Sequence, residues 1–241
     1  MSGLIYRELY LTRKDYISAF LAYLLIMLLC VLVNLSLSFG NLRDIVRGEN
    51  EEMTRTAIFH ISVLVPSMIL YTVSAANMDV TDKDMGGKWL TFQSTIPVST
   101  KKCALAKTVI IAVSVIFAFI MSFINLVVFC ALYGKSPDKT LIGLLMLLPP
   151  VTTLGTVALI SLTLLFRNST AAVIFMIAAF IALLYFLFLR QVIVMDNEPD
   201  IKLLMSYLDR ISGLTWLYLP LTAAVLAAGQ MIFTALLKRR A

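Results

Sequence analysis

Long apolar stretches alternate with short polar ones along the whole chain. Six of the apolar stretches are near the 20 or so residues that a helix needs to cross a hydrocarbon core of about 30 Å. They run near Ile17–Phe39, Ala57–Met78, Thr108–Tyr133, Leu141–Phe166, Ala171–Leu189 and Leu214–Leu237, and the apolar character of the fifth continues through Val192–Met195. The pattern predicts an all-α membrane protein with six transmembrane helices. Residues 1–16 read as a separate element, an N-terminal amphipathic helix lying along the interface. On a 3.6-residue wheel Ile5, Leu9, Thr12 and Tyr16 share one face and Arg7, Glu8, Lys14 and Asp15 the opposite one. The six-span domain then covers 17–237, and a basic tail covers 238–241.

Composition points the same way. The 241 residues are 60% hydrophobic and only 14% charged, and mean hydropathy is +0.92. Soluble domains sit near 45–50% apolar and 25% charged. So much apolar surface needs a bilayer as solvent. Against that background the net charge of +6 reads as topology and attraction to anionic headgroups, not as a nucleic-acid footprint. Cys30, Cys103 and Cys130 have neither metal-ligand spacing nor the pattern of a disulfide framework. No cleavable leader is expected, since the first apolar run is too long for one.

Basic residues set the predicted orientation. With both termini cytoplasmic, the inner side holds Arg7, Arg13, Lys14, Lys83, Lys88, Lys101, Lys102, Lys107, Arg167, Lys238, Arg239 and Arg240, and the outer side only Arg43, Arg47, Arg55, Lys135, Lys139, Arg190, Lys202 and Arg210. The excess favours cytoplasmic termini by the positive-inside rule. Long outer loops are expected near 40–56 and 190–213, and a long inner loop at 79–107. The links 134–140 and 167–170 are short enough to make antiparallel neighbours of spans three, four and five.

Candidate chemistry is sparse. None of the six runs holds an ionisable residue expected to be buried, which argues against a self-powered proton or sodium carrier and against an intramembrane aspartyl protease. His60 is the single histidine, and without carboxylate or cysteine neighbours it reads as an interfacial side chain. The Gly86–Lys88 triplet is followed by Trp89, not Ser or Thr, so it is no phosphate-binding loop. Polar residues inside the runs, Asn34, Ser36, Ser38, Asn77, Asn125, Ser161, Thr163 and Gln230, serve either interhelical hydrogen bonding or a polar path. Asn34, Ser38, Asn77 and Asn125 are the pathway-lining candidates. Pro66, Pro149, Pro150 and Pro220 predict kinks or breaks.

The most informative stretch is the inner loop, Asp79 to Lys107. Acids come first, then Gly86-Gly87, then Trp89, Leu90 and Phe92, then Ile96-Pro97-Val98-Ser99 and a basic helix start. Lys83–Gln93 is expected to form a short amphipathic helix with the aromatics as anchors, stopped by Pro97. Such a knob suits docking into a groove of a soluble partner, or resting on headgroups with Trp89 as the anchor.

This stretch resembles the loop between spans two and three of type 2 permeases of ABC transporters. There an acidic residue, a Gly, an aromatic-aliphatic stretch, a Leu-Pro-Val-Ser-like element and a Lys opening span three follow one another. Asp82 or Asp84, Gly87, Trp89–Leu90, Ile96–Ser99 and Lys107 match in order; Ile96 departs from the usual Leu, and Gln93–Thr95 is more polar than in many members. The overall layout, an interfacial helix, six spans and a longer outer loop before the last span, is also similar.

The resemblance implies the membrane subunit of an ATP-driven bacterial exporter in the cytoplasmic membrane, most similar to small permeases of peptide and toxin exporters such as that for phenol-soluble modulins. Two permease chains, alike or different, would form the pathway. Two separate ABC ATPase subunits would bind ATP and magnesium and hydrolyse the nucleotide, so no cofactor or catalytic residue is expected in this chain. The loop helix would be the coupling helix. Trp89, Leu90 and Phe92 would seat in the ATPase, Asp82, Asp84 and Lys88 would orient it at the rim, and Pro97 would fix its exit. Membrane lipid is the other expected partner, and nucleic acid is not one. The alternatives are an assembly subunit without a pathway and an intramembrane enzyme.

Overall fold

The computed structural model describes residues 2–40, 51–86, 99–194, 210 and 213–239. Helices are α1 (Ser2–Phe39), α2 (Glu51–Thr72), a 3₁₀ turn at Val73–Ala75, α3 (Ala76–Gly86), α4 (Thr100–Tyr133), α5 (Lys139–Phe166), α6 (Ser169–Val194) and α7 (Thr215–Lys238). No strand occurs among the described residues. Five helices are long and apolar enough to cross a membrane: those within α1, α2, α4, α5 and α7. The fifth predicted run lies in α6, whose side chains are described continuously only as far as Ala182.

The first departure from expectation is at the N-terminus. α1 is one continuous helix of 38 residues, about 57 Å at 1.5 Å per residue, with no break near residue 16. Its buried stripe near the start runs through Glu8 and Thr12, while Leu9 is exposed. The wheel is therefore rotated from the expected one: Glu8 belongs to the inward face. The second departure lies beyond span two. α2 stops at Thr72, and the chain passes through the 3₁₀ turn into α3, a polar helix where the sequence suggested the start of a loop. Asn77, Val80, Thr81 and Asp84 are buried and recur at helical spacing, so α3 is amphipathic with a mainly polar inward face. Ser74 stitches the turn, donating to the Tyr71 carbonyl at 2.8 Å and meeting Thr156 of α5 at 2.8 Å.

The short links behave as expected. Gly134, with φ 60°, ends α4, and Asp138 caps α5 by accepting from the Leu141 amide at 2.7 Å. α5 stays helical through Pro149 and Pro150. Thr153 donates to the Pro149 carbonyl at 2.6 Å, and Thr152 donates to Leu148 at 2.7 Å. α5 contacts α4, α6 and, most extensively, α7. The core has two parts. One gathers Tyr23, Leu70, Tyr71, Ile111, Val157, Ile160 and Phe233, the other Phe59, Val63, Leu126, Phe129, Leu141 and Leu145.

α5 and α7 approach closely at Gly229, where a Cβ would stand 2.8 Å from Val157 Cγ2. Gly229→Leu should therefore destabilise the bundle by about 1–3 kcal/mol through overpacking, read as a lower unfolding midpoint in detergent. Gly155→Leu, at a position with nothing within 4 Å of an added Cβ, is the control expected to leave the midpoint in place.

Candidate functional site: a buried charge cluster at the base of a loop

Four ionisable side chains converge where the starts of α1 and α4 meet the end of α3. Asp84 is 2% exposed, Lys107 5% and Glu8 6%; Arg7 is partly exposed. Lys107 Nζ faces three acceptors, Glu8 Oε2 at 3.4 Å, Asp84 Oδ2 at 3.4 Å and Thr81 Oγ1 at 3.3 Å. An ammonium carries three protons, so each has an oxygen to meet. Arg7 lays its guanidinium on Asp84, with Nη2 on Oδ1 and Nη1 on Oδ2 at 3.4 Å, and Nη1 also reaches Glu8 Oε1 at 3.0 Å. This two-point fork is the strong form of the arginine–carboxylate contact. The two cations and two carboxylates sum to zero, which is how a low-dielectric site tolerates them.

Buried ionisable groups lie just outside the predicted runs: Lys107, one residue before the third run, sits on α4, which starts at Thr100, and Glu8 sits on α1 ahead of the first run. Asp84 is buried, and both of its oxygens are engaged by Arg7 and Lys107. Asp82, one residue pair earlier on α3, accepts from the Ser169 amide at 3.2 Å, at the start of α6. Asn168 adds its own cap, accepting from the Thr170 amide at 2.8 Å. The two aspartates together tie α3 to α1, α4 and α6. Lys88, Trp89, Leu90, Phe92 and Pro97 lie in 87–98, outside the described residues, as does the expected helix Lys83–Gln93 beyond Gly86; Lys83 itself is exposed on α3.

Asp84 stands three residues before that segment, and Lys107 stands two turns into the helix that follows it. Their ion pair joins α3 to α4. The helical wheel places Arg7 and Glu8 on the outward face. Glu8 nevertheless stands four residues from Thr12, on the stripe that leads to the buried Tyr23.

The pathway candidates are dispersed. Asn125 Nδ2 donates to the Val63 carbonyl of α2 at 2.8 Å and lies 3.5 Å from Ser67 Oγ. The same Val63 carbonyl also accepts from Ser67 Oγ at 2.7 Å. Asn77 Nδ2 donates to the Ser74 carbonyl at 3.0 Å. Both residues are buried, as is Asn34, and the Ser38 side chain is outside the described residues. Among the described residues, Asn77 Oδ1 and Asn125 Oδ1 are buried without a hydrogen-bond partner.

At the other end of the bundle His60 is not isolated. Nε2 is 3.0 Å from Asp138 Oδ2 and Nδ1 is 2.7 Å from the Thr56 carbonyl, so the ring links α2 to the cap of α5. Lys135 Nζ donates to Thr56 Oγ1 at 2.7 Å beside it.

Compared with family models, with curated proteins and with solved structures, the chain matches none.

Proposed function

We propose that this chain is the membrane subunit of an ATP-driven exporter of the ABC type 2 class, with six spans, cytoplasmic termini and residues 87–98 at the core of its coupling segment. The observation that carries the reading is the charge cluster at the base of that segment. A coupling element must be rigid where it joins the membrane domain, because a soft joint would absorb the partner's motion. Asp84, on the helix that leads into it, and Lys107, two turns into the helix that leaves it, are bound to each other, to Arg7 and to Glu8, so a push on the segment reaches α1, α3 and α4 together. Asp82 extends the hold to α6.

Five long apolar helices, together with the apolar run in α6, support the membrane-domain role. The buried charges are mutually neutralised, so a cargo with substantial apolar surface, such as an amphipathic peptide or a hydrophobic compound, fits better than an ion. One small subunit encloses little volume, which favours a pathway between two permease chains.

The purified chain alone should hydrolyse no ATP, and hydrolysis should appear when a partner ATPase is co-expressed and co-purified through residues 79–107. Robust hydrolysis by the chain alone would sink this reading.

A further inference from the structure

Along α7, Gln230, Thr234 and Lys238 follow one another at four-residue intervals, and Ala227, Met231 and Ala235 form a second ridge beside them. These six and Lys101, from the first turn of α4, line an open groove of about 520 Å³. The groove is graded. Lys101 and Lys238 stand at one end, the amide and hydroxyl of Gln230 and Thr234 lie further along α7, and Ala227 and the 73% exposed Met231 lie towards its other end. From Lys238 to Gln230 is eight residues, about 12 Å of helix.

Among the described residues its charge is uncompensated. Thr234 Oγ1 is occupied by its own helix, donating to the Gln230 carbonyl at 2.8 Å. Lys101, Lys238 and the Gln230 side chain have no ion pair or hydrogen bond among the described residues. Lys102 and Arg239 next to them are exposed and equally unpaired there. The first turn of α4 contains no acid. A half-buried glutamine amide on a hydrocarbon-facing groove is costly unless something polar meets it. A bare anion meets the lysines but leaves the amide and the apolar end uncovered. A second helix covers the apolar end but leaves the lysines unmet.

We propose that this groove holds one anionic diacyl phospholipid from the leaflet at that end of the bundle. The phosphate meets Lys101 and Lys238, an ester carbonyl accepts from the Gln230 amide, and the start of an acyl chain lies along Ala227 and Met231. The proposal needs only that the bundle is embedded in a membrane, so it stands or falls apart from the exporter reading.

The test uses the full chain, delipidated in mild detergent and offered phosphatidylglycerol, phosphatidylcholine or inorganic phosphate, with retained lipid counted by native mass spectrometry. One phosphatidylglycerol per chain should be retained, with a preference over phosphatidylcholine of about thirtyfold for two lysines near the surface. In Lys101→Gln/Lys238→Gln the preference should vanish. In Gln230→Leu retention of phosphatidylglycerol should fall while unfolding midpoints of all variants stay at the wild-type value, since these side chains are solvent- or lipid-facing. Three results would overturn the proposal: undiminished preference in the double lysine variant, protection of the groove by inorganic phosphate as strong as by the lipid, or disulfide-linked dimers through Met231→Cys that form in lipid excess and show a second copy in the groove.

Discussion

Lys107→Met should destabilise the folded chain by about 3–5 kcal/mol, the range for removing one partner of a buried ion pair. The methionine preserves length and helix propensity, so the loss is electrostatic. With Lys107 gone, Glu8 Oε2 and Asp84 Oδ2 lose their shared cation, and Arg7 alone faces two buried carboxylates. The same balance predicts the rescue. In Lys107→Met/Asp84→Leu the remaining pair is Arg7 with Glu8, still 3.0 Å apart and neutral in sum. Replacing a buried pair by apolar side chains is often near neutral, so the double variant should recover most of the loss. Lys101→Met, at an exposed position of the same helix, is the control. Unfolding midpoints in detergent decide the matter. A Lys107→Met midpoint equal to that of the control, or a double variant worse than the sum of the singles, would show that the cluster does not hold the base of the loop.

What the sequence disclosed and what it hid follow one physical division. Apolar runs are read well because hydrocarbon demands length and composition, and both are local. Four of the six runs lie almost wholly in helices that meet that demand, and a fifth, Ala57–Met78, does so as far as Thr72; the ends of α4 and α5 at Tyr133 and Phe166 fall where Gly134 and Arg167 interrupt the apolar pattern. Polar segments are read poorly, because their fate depends on partners distant in the chain. α3 looks like a loop by composition, yet Asp84 finds Arg7 across 77 positions of sequence and Lys107 across 23. Glu8 looks like a water-facing charge until Lys107 is placed opposite it, 99 positions later. The same holds for His60, isolated in the sequence but placed against Asp138 by the packing of α2 on α5. Composition shows where charge is rare. It does not show which of the rare charges meet.

If the chain has the proposed exporter role, Trp89→Ala should lower its affinity for an ABC ATPase by about thirtyfold. The figure is the loss of a central aromatic anchor at an interface, about 2 kcal/mol or more, converted at tenfold per 1.4 kcal/mol. Trp89, with Leu90 and Phe92 close behind it, supplies the largest apolar area in the segment that Asp84 and Lys107 bracket. Charges at the edge of such a contact, Lys88 and the exposed Lys83 among them, steer the encounter more than they hold it. The substitution leaves the apolar runs and the four residues of the cluster unchanged, so membrane insertion and the unfolding midpoint should stay at wild-type values. That separates it from Lys107→Met, which should lose stability first and coupling as a consequence. The measurement is a pull-down of the ATPase together with a transport assay in vesicles. Trp216→Ala is the control, because Trp216 is exposed at the start of α7, the opposite end of the bundle from Lys101 and Lys238. If Trp89 instead rests on lipid headgroups, the variant will bind its ATPase and export at the wild-type rate. That outcome would remove Trp89 from the coupling contact while leaving the charge cluster intact.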